Sequence, residues 1–209
     1  MKDTEENYDR MSNVYNVASN PFEEKYRRIG VSLMDIEEGG RYLDIGHGTG
    51  EALISIAEDF KENVSLYGVD ISRGMTDIAG RKLEKLGLED RVELILADAR
   101  ELPFGDSYFH GVFSSFTIEI MNDEDLDKVL ENIKRVMRES GKFVGISLSK
   151  HGGSIVKDIY EKVQNFAPNI VDCRLIDLKS KLENTGFDVV YHERRDKFGL
   201  PVDIVSARP

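Results

Sequence analysis

Length and charge already restrict the kind of protein that this chain can be. Its 209 residues, 40% of them hydrophobic, suffice to bury the core of one domain. Lysine and arginine number 28 against 39 aspartates and glutamates, so the formal net charge is −11. Such a charge repels nucleic-acid phosphates and anionic membrane surfaces, and we therefore expect no nucleic-acid partner.

Side-chain chemistry excludes further classes. Cys173 is the single cysteine, which rules out an internal disulfide, and the four histidines lack the close spacing of a helical metal site, so we expect no metal. No stretch reaches the roughly 18 uncharged apolar residues of a membrane-spanning helix. The polar start MKDTEENYDR also lacks the apolar run of a secretory signal. We therefore expect a cytoplasmic protein without an integral membrane segment.

Strand and helix patterns alternate along most of the chain. Residues 1–38 are predicted to be mainly helical, divided near Asn20-Pro21, and Gly39-Gly40 leads into the first strand. From there the alternation is typical of a parallel sheet flanked by helices. The predicted strands are residues 42–46, 65–70, 92–98, 110–116 and 142–148. Three helices lie between them, and the clearest carries its apolar residues at helical spacing from Leu126 to Met137.

The C-terminal part completes the sheet. Two more helices are predicted near residues 154–166 and 175–185, ended by Pro168 and Gly186. Strands at 187–193 and 201–207, separated by the turn-prone segment 196–199, predict an antiparallel hairpin. The expected fold class is α/β: a Rossmann-like three-layer sandwich around a mostly parallel seven-stranded sheet with a C-terminal antiparallel hairpin. We expect one domain over residues 1–209.

A glycine-rich turn follows the first strand. Segment 42–50 reads YLDIGHGTG, and glycines there let the backbone turn tightly and approach a ligand without an intervening Cβ. Asp70 ends the next strand, 24 residues after Gly46, where a carboxylate can accept hydrogen bonds from both ribose hydroxyls. The turn alone is a weak signal, but the turn and the carboxylate together predict a nucleotide site.

The spacing of the glycines favours one kind of nucleotide. A dinucleotide fingerprint reads G-x-G-x-x-G and offers a helix N-terminus to a pyrophosphate. This chain has G-x-G-x-G, with Glu51 at the start of the helix and Asp44 before the first glycine. Both carboxylates favour a cationic ligand without phosphates. S-adenosylmethionine, which carries an ammonium and a sulfonium, is the common ligand of that description.

With these motifs the chain resembles class I S-adenosylmethionine-dependent methyltransferases, and among them the ubiquinone/menaquinone biosynthesis methyltransferase-like proteins. The resemblance covers residues 42–149. It rests on the glycine turn, on Asp70, and on the segments ADA (97–99), ELPFGD (101–106), IKRVM (133–137) and GK (141–142). These motifs are specific for the superfamily and not for an acceptor.

The resemblance implies a role for each matching residue. It assigns the methionine part of the cofactor to the Asp44 side chain and to the backbone of Gly46, Gly48 and Gly50. It assigns the ribose to Asp70, adenine packing to Ile71, and the adenine amino group to Asp98 with Ala99 beside it. Residues 39–150 then form the cofactor-binding core, and residues 151–209 form the C-terminal helices and the closing hairpin. For Asp44 and Asp98 the alternative is that each only caps the turn that follows.

The opening segment is similar to a lid that covers the cofactor in such proteins. Residues 7–16 read NYDRMSNVYN, which resembles a Tyr-Asp…Tyr-Asp pattern and implies that Tyr15 lies on the cofactor. Residues 1–38 are then an N-terminal helical lid. Asn16 stands where Asp is common, so its role stays open, and Tyr15 has the alternative of a core residue on a helix face. His47 and His110 also depart from the family pattern, and we interpret both as structural substitutions.

The acceptor is expected after the fourth and fifth strands, because ligands of open parallel sheets bind beyond the carboxyl ends of the strands. Segment 116–121, FTIEIM, follows the fourth strand. Our hypothesis is that Glu119 orients or deprotonates the acceptor, and the alternative is a solvated or capping carboxylate. A set of apolar residues either lines a pocket or belongs to the core: Phe22, Ile118, Ile120, Met121 and Phe166.

The function expected from the sequence is methyl transfer from S-adenosylmethionine to a small-molecule or lipid-like acceptor, which leaves S-adenosylhomocysteine. Such a reaction needs mainly alignment of the reactants and exclusion of water. Through the resemblance, a quinone-precursor ring or a phospholipid amine is a possible acceptor, and a monomer or homodimer is expected. Two alternatives remain: a dinucleotide-dependent oxidoreductase and a non-catalytic S-adenosylmethionine-binding protein.

Overall fold

Seven strands form a single sheet in the computed structural model, which describes residues 21–60, 64–151, 174–197 and 200–209. The sheet order is β3-β2-β1-β4-β5-β7-β6. The parallel strands are β1 (Arg41–Ile45), β2 (Ser65–Asp70), β3 (Val92–Leu96), β4 (Phe109–Ser115) and β5 (Met137–Leu148). The hairpin of β6 (Asp188–Lys197) and β7 (Leu200–Arg208) pairs antiparallel with β5 through β7. The predicted fold class is confirmed.

Helices cover both faces of this sheet. They are α1 (Pro21–Ser32), α2 (Glu51–Asp59), α3 (Arg73–Leu86), α4 (Asp123–Val136) and α5 (Leu178–Asn184). One core cluster joins α4 and α5 to the sheet through buried residues such as Leu130 and Leu178. The other joins α1, α2 and α3 to the opposite face through residues such as Tyr26, Leu53 and Leu83. None of the helices in the described ranges has the length and hydropathy of a membrane-spanning segment.

Local capping sets several element ends. The Asn122 side chain accepts a hydrogen bond from the backbone of Asp125 at the start of α4, whose acidic first turn suits the helix dipole. The fifth helix is shorter than the predicted 175–185, because Asp177 caps it through the backbone N–H of Ser180. Strand β3 stops at Leu96, before the predicted end at residue 98.

The beginning of β5 also differs from the prediction. The strand begins at Met137, directly after α4, rather than at residue 142. Its register with β4 is interrupted between the pairs Phe109–Met137 and Gly111–Lys142, so regular pairing starts at the predicted position. Gly141 therefore lies inside the irregular part of this strand. The predicted helix 154–166 and the lid segment before residue 21 lie outside the described residues.

Helix α1 runs from the carboxyl edge of the sheet towards its amino edge. At the middle of this helix, the Tyr26 ring lies edge-to-face against Phe116, just beyond the end of β4, with 6.4 Å between ring centroids. One turn later, a Cβ added at Gly30 would lie 2.7 Å from side-chain atoms of Phe113 and Ile146, in the middle of the sheet. The first turns of α1 are thereby placed at the edge where the glycine turn lies.

Candidate functional site

The glycine turn requires glycine at each of three positions, and for different reasons. Gly46, Gly48 and Gly50 all have positive φ angles, of 67°, 52° and 84°. A Cβ at Gly46 would lie 2.0 Å from the Thr117 side chain, and one at Gly50 would lie 3.1 Å from Ala79. A Cβ at Gly48 would meet no atom within 4 Å. Gly48 thus leaves space on an open side of the turn, as a cradle for a ligand does.

Asp70 holds this turn against the next strand. Its Oδ2 accepts a hydrogen bond from the backbone N–H of Gly48, and its Oδ1 accepts one from the backbone N–H of Ser72, each at 2.8 Å. A carboxylate has about four lone-pair sites, so both oxygens keep the capacity to accept from ribose hydroxyls. Ile71 follows directly and is half-buried, between β2 and the start of α3.

Asp44 is a buried carboxylate next to the turn. Only 3% of the residue is exposed, and none of the described residues donates a hydrogen bond to its carboxylate. Burial raises the pKa of Asp44 to about 8, and the nearby Asp70 raises it further, while the Arg27 guanidinium opposes the shift. A cation placed beside Asp44 would relieve this cost of burial. The site therefore fits the ammonium of S-adenosylmethionine. No hydrogen bond among the described residues supports the alternative that Asp44 only caps the turn.

Asp98 does cap a turn. Its Oδ1 accepts from the backbone N–H of Arg100, 2.9 Å away, at the start of a 3₁₀ turn over Ala99–Glu101. The Arg100 guanidinium also binds both Asp98 oxygens and reaches Asp125 at 2.7 Å. These bonds hold the pKa of Asp98 below its usual value. Binding of the adenine amino group would have to share the carboxylate with Arg100, and this role of Asp98 and of Ala99 stays a prediction.

The two unusual histidines occupy different places. His47 is buried within the glycine turn, with its ring against Gly68 of β2, and its Nδ1 lies 2.9 Å from the carbonyl oxygen of Gly48. Desolvation lowers the pKa of His47, which keeps the ring neutral. His110 lies at the amino end of β4, where its Nδ1 accepts from the backbone N–H of Arg41. His110 is therefore remote from the turn at the opposite sheet edge.

Glu119 is completely buried, so the solvated alternative is wrong. It lies in a 3₁₀ turn, Ile118–Ile120, that follows β4. Its Oε1 accepts from the backbone N–H of Leu148 at the end of β5, at 3.3 Å, and its Oε2 has no hydrogen-bond partner among the described residues. Burial raises the pKa of Glu119 to about 8, and Glu23 on α1 raises it further. The uncharged acid is therefore the dominant form at neutral pH.

The structure links Glu119 to the glycine turn through Thr117. The Thr117 hydroxyl donates to the carbonyl oxygen of Gly46 at 3.1 Å, so the segment after β4 and the turn after β1 are held together. Ile118 is fully buried in the core below α4, which favours the core interpretation for that residue. Ile120 and Met121 are half-buried. The side chain of Phe22, and Phe166 and Tyr15 as a whole, lie outside the described residues.

Sequence reasoning missed three arginines of this region. Arg27 on α1 lowers the pKa of Asp44, and Arg100 binds Asp98. Arg174 donates its backbone N–H to the carbonyl oxygen of Glu119 at 2.9 Å, and its guanidinium binds the carbonyl oxygen of Met121. None of the three belongs to the family motifs named above. An isolated arginine in a sequence rich in charged residues does not indicate a site. Only the tertiary structure brings Arg27 near Asp44 and Arg174 to the segment after β4.

Comparison with known proteins agrees with this geometry. Residues 43–141 match the methyltransferase domain family. The chain is 31% identical over 145 residues to a demethylmenaquinone methyltransferase of Symbiobacterium thermophilum, which covers 69% of this chain and 56% of that protein. It is 33% identical over 117 residues to the sterol 4-C-methyltransferase strm-1 of Caenorhabditis elegans, covering 56% of this chain and 34% of the relative. The chain thus spans about half the length, or less, of these curated relatives.

The fold agrees as well. A crystal structure of an S-adenosylmethionine-dependent methyltransferase from Aquifex aeolicus superposes with a TM-score of 0.63 at 22% identity, covering 87% of this chain and 88% of that one. The matched residues 43–141 contain the glycine turn, Asp70, Asp98 and Glu119. Residues 43–141 therefore resemble a methyltransferase domain, and the chain shares its fold with a solved S-adenosylmethionine-dependent methyltransferase. It is similar to the methyltransferases of ubiquinone/menaquinone biosynthesis, as the motifs predicted.

Proposed function

We propose that this protein transfers a methyl group from S-adenosylmethionine to a small-molecule or lipid-like acceptor and releases S-adenosylhomocysteine. One observation carries the proposal: Asp44 and Asp70 stand at the ends of neighbouring strands, on either side of a turn whose Gly48 backbone is open to a ligand. Asp44 before the turn favours a cationic adenosine compound and opposes the pyrophosphate of a dinucleotide, while Asp70 suits the ribose of either ligand.

Different residues of the chain bind different parts of the cofactor. In this proposal Asp44 and the backbone of Gly46, Gly48 and Gly50 hold the methionine part. Asp70 accepts from the ribose hydroxyls. Ile71, Asp98 and Ala99 contact the adenine, and Tyr15 of the lid covers the cofactor. S-adenosylmethionine supplies a methyl carbon that its sulfonium already activates, so the protein has to align the acceptor and exclude water.

Glu119 contributes a proton-bearing group on the acceptor side. Its Oε1 is occupied by Leu148, which leaves Oε2 as the oxygen that can contact an acceptor. At neutral pH the uncharged acid donates a hydrogen bond from Oε2 and orients the acceptor. Above its raised pKa of about 8 the carboxylate can take a proton from the attacking group. Both actions require the acceptor to lie next to Glu119, which is buried beside the ends of β4 and β5.

The relatives suggest the acceptor class. Their names refer to a demethylmenaquinone and a sterol, both largely apolar molecules. By analogy, we propose a small, apolar acceptor for this chain. We also propose that the protein is cytoplasmic, that it is a monomer or a homodimer, and that its acceptor is not a nucleic acid.

A labelling experiment tests the activity. Purified protein is incubated with S-adenosylmethionine carrying a ¹³C-methyl group and with a panel of quinols, sterols, phospholipid amines and simple phenols. We expect S-adenosylhomocysteine to accumulate together with one acceptor that gains the labelled methyl group by mass spectrometry. Tight binding of the cofactor without transfer to any member would favour a non-catalytic binding protein.

The same assay tests Glu119. A Glu119→Gln variant should show slower turnover or a higher KM for the acceptor, while its affinity for S-adenosylhomocysteine stays unchanged. Glu124→Gln, an exposed change in the first turn of α4, is the matched control. Full turnover with unchanged acceptor KM in Glu119→Gln would remove Glu119 from the mechanism.

A further inference from the structure

Three neighbouring strands bring basic side chains together at the amino edge of the sheet, away from the glycine turn. The order β1-β4-β5 places Arg41, the first residue of β1, beside the start of β4, where His110 lies. The register of β4 with β5 is interrupted here, so His110 alone stands opposite residues 138–141 of β5. Arg138 begins that segment and contacts the His110 ring. The fold thus gathers two arginines around one histidine.

We propose that this amino-edge cluster, Arg41, His110 and Arg138, binds an oxyanion of the phosphate class. The cluster lies at the sheet edge opposite the proposed cofactor site, so the inference does not depend on the proposed function. A guanidinium group can bind two oxygens of such an anion with parallel hydrogen bonds, and an imidazole N–H supplies a further donor.

The hydrogen bonds of His110 leave one donor without an acceptor. Its Nδ1 accepts from the backbone N–H of Arg41 at 2.9 Å. Burial lowers the pKa of His110, and the guanidinium groups of Arg138 and Arg41 lower it further, so at neutral pH the uncharged ring carries its single proton on Nε2. That Nε2 lies 2.7 Å from Nη1 of Arg138, which is also a donor. Two donors cannot bond to each other, so an anion that accepts from both would remove the conflict.

Both guanidinium groups of the amino-edge cluster lack an ionic partner. Neither Arg41 nor Arg138 forms an ion pair with any residue in the part of the chain that the structure describes. Arg41 donates its Nε proton to the carbonyl oxygen of Tyr108 at 2.9 Å, and its Cζ lies 4.2 Å from the centroid of the same ring. These contacts hold the side chain in place and leave the donors of its two terminal nitrogens for a ligand.

Acidic residues near the amino-edge cluster do not take the place of this anion. Glu37, in the segment after α1, raises the pKa of His110 by its charge, and its backbone N–H donates to the Tyr42 hydroxyl at 2.7 Å. Asp35 is already paired with Lys142 of β5. Two guanidinium charges therefore stand against the one carboxylate of Glu37, and the remaining positive charge favours binding of an anion.

Titration calorimetry of the full chain at constant ionic strength tests this site. One probe is inorganic phosphate, which represents a free oxyanion, and the other is glycerol phosphate, which represents the phosphate group of a larger molecule. Sodium chloride replaces the phosphate salt in the reference titration. The wild type is compared with Arg138→Gln, His110→Asp and the control Arg28→Gln, whose exposed side chain pairs with Glu24. Thermal unfolding of each protein is measured without ligand.

We expect the wild type to bind phosphate at one site per chain, and Arg138→Gln to weaken this binding by about tenfold or more, because a charge-assisted hydrogen bond is lost. Tighter binding of glycerol phosphate would identify the phosphate group of a larger molecule as the ligand, and equal affinities a free oxyanion.

The aspartate variant gives a second readout. His110→Asp introduces a carboxylate that can accept from the Arg41 backbone N–H and from the Arg138 guanidinium. It should therefore abolish phosphate binding and raise the midpoint of thermal unfolding without ligand, a gain that a misfolded variant would not show. Arg28→Gln should leave the affinity for phosphate unchanged.

Three results would overturn the inference. The first is a wild type that binds neither probe, and the second is an affinity for phosphate that Arg138→Gln leaves unchanged. The third is loss of phosphate binding when the protein is saturated with S-adenosylhomocysteine, because the anion would then occupy the cofactor site. The proposed function is tested separately by methyl transfer, and it would stand in all three cases.

Discussion

Replacing Asp44 with asparagine should make the ligand-free protein more stable and, at the same time, weaken its binding of the cofactor. The reason is the cost of burying the Asp44 charge. In the unfolded chain the carboxyl group has a pKa near 3.8, and in the folded protein burial raises this pKa to about 8. Folding therefore favours the protonated form, so stability falls as the pH rises above 3.8 and stops falling above about 8.

The magnitude follows from the pKa difference. A pH of 7 lies about 3 units above the pKa of Asp44 in the unfolded chain. Each unit corresponds to about 1.36 kcal/mol, so the burial of Asp44 lowers the free energy of unfolding by at most about 4 kcal/mol at this pH. At pH 5 the same calculation leaves about 1.6 kcal/mol. The asparagine amide carries no charge at either pH, so Asp44→Asn should increase the free energy of unfolding, and by more at pH 7 than at pH 5.

Urea unfolding at the two pH values is the appropriate assay. Asp77→Asn, an exposed change on α3, is the control and should leave the free energy of unfolding nearly unchanged at both. Calorimetry on the Asp44→Asn protein should show weaker binding of S-adenosylhomocysteine, because the ammonium loses its ionic partner. The reasoning about Asp44 would be refuted if the variant were no more stable than the wild type and if the difference between their free energies of unfolding were the same at pH 5 and pH 7.

Three further predictions concern the turn and the acceptor side. If Glu119 acts as a base, turnover should rise from pH 6 to 8 and level off above its raised pKa of about 8, and Glu119→Gln should lose this rise. Gly48→Ala should cost only about 1 kcal/mol of stability, from its positive φ, yet weaken cofactor binding severalfold in calorimetry. Gly68→Ala should lower the free energy of unfolding by about 1–3 kcal/mol, because the new Cβ lies 2.7 Å from Leu53 and 2.9 Å from His47. The double variant His47→Ala/Gly68→Ala should recover part of this loss, and strictly additive effects would exclude the packing explanation for the histidine contact.

The parts of the fold that depend on local periodicity were predictable. Strand β2 has the predicted bounds, and α4 carries the expected apolar face, because both patterns follow from the alternation of apolar and polar residues. The glycine turn and Asp70 were also predictable, since their conformation and chemistry restrict the residue type. These elements set the topology of the sheet and the position of the cofactor side of the site.

What the sequence did not reveal depends on contacts between distant residues. The irregular start of β5 follows from its pairing with β4. The early end of β3 is instead a local effect, because Asp98 caps the 3₁₀ turn that directly follows it. The burial of Glu119 arises where β4 and β5 end side by side, which no window along the chain can show. Arg27 acquires its surroundings only when α1 packs across the sheet.

The central claim is that this turn and its two carboxylates bind a cationic adenosine compound without phosphates. Titration calorimetry of the purified protein with S-adenosylhomocysteine, S-adenosylmethionine and NAD tests it most directly. We expect saturable binding of the first two at one site per chain and no heat with NAD. Tight binding of NAD, with none of either sulfur compound, would contradict it.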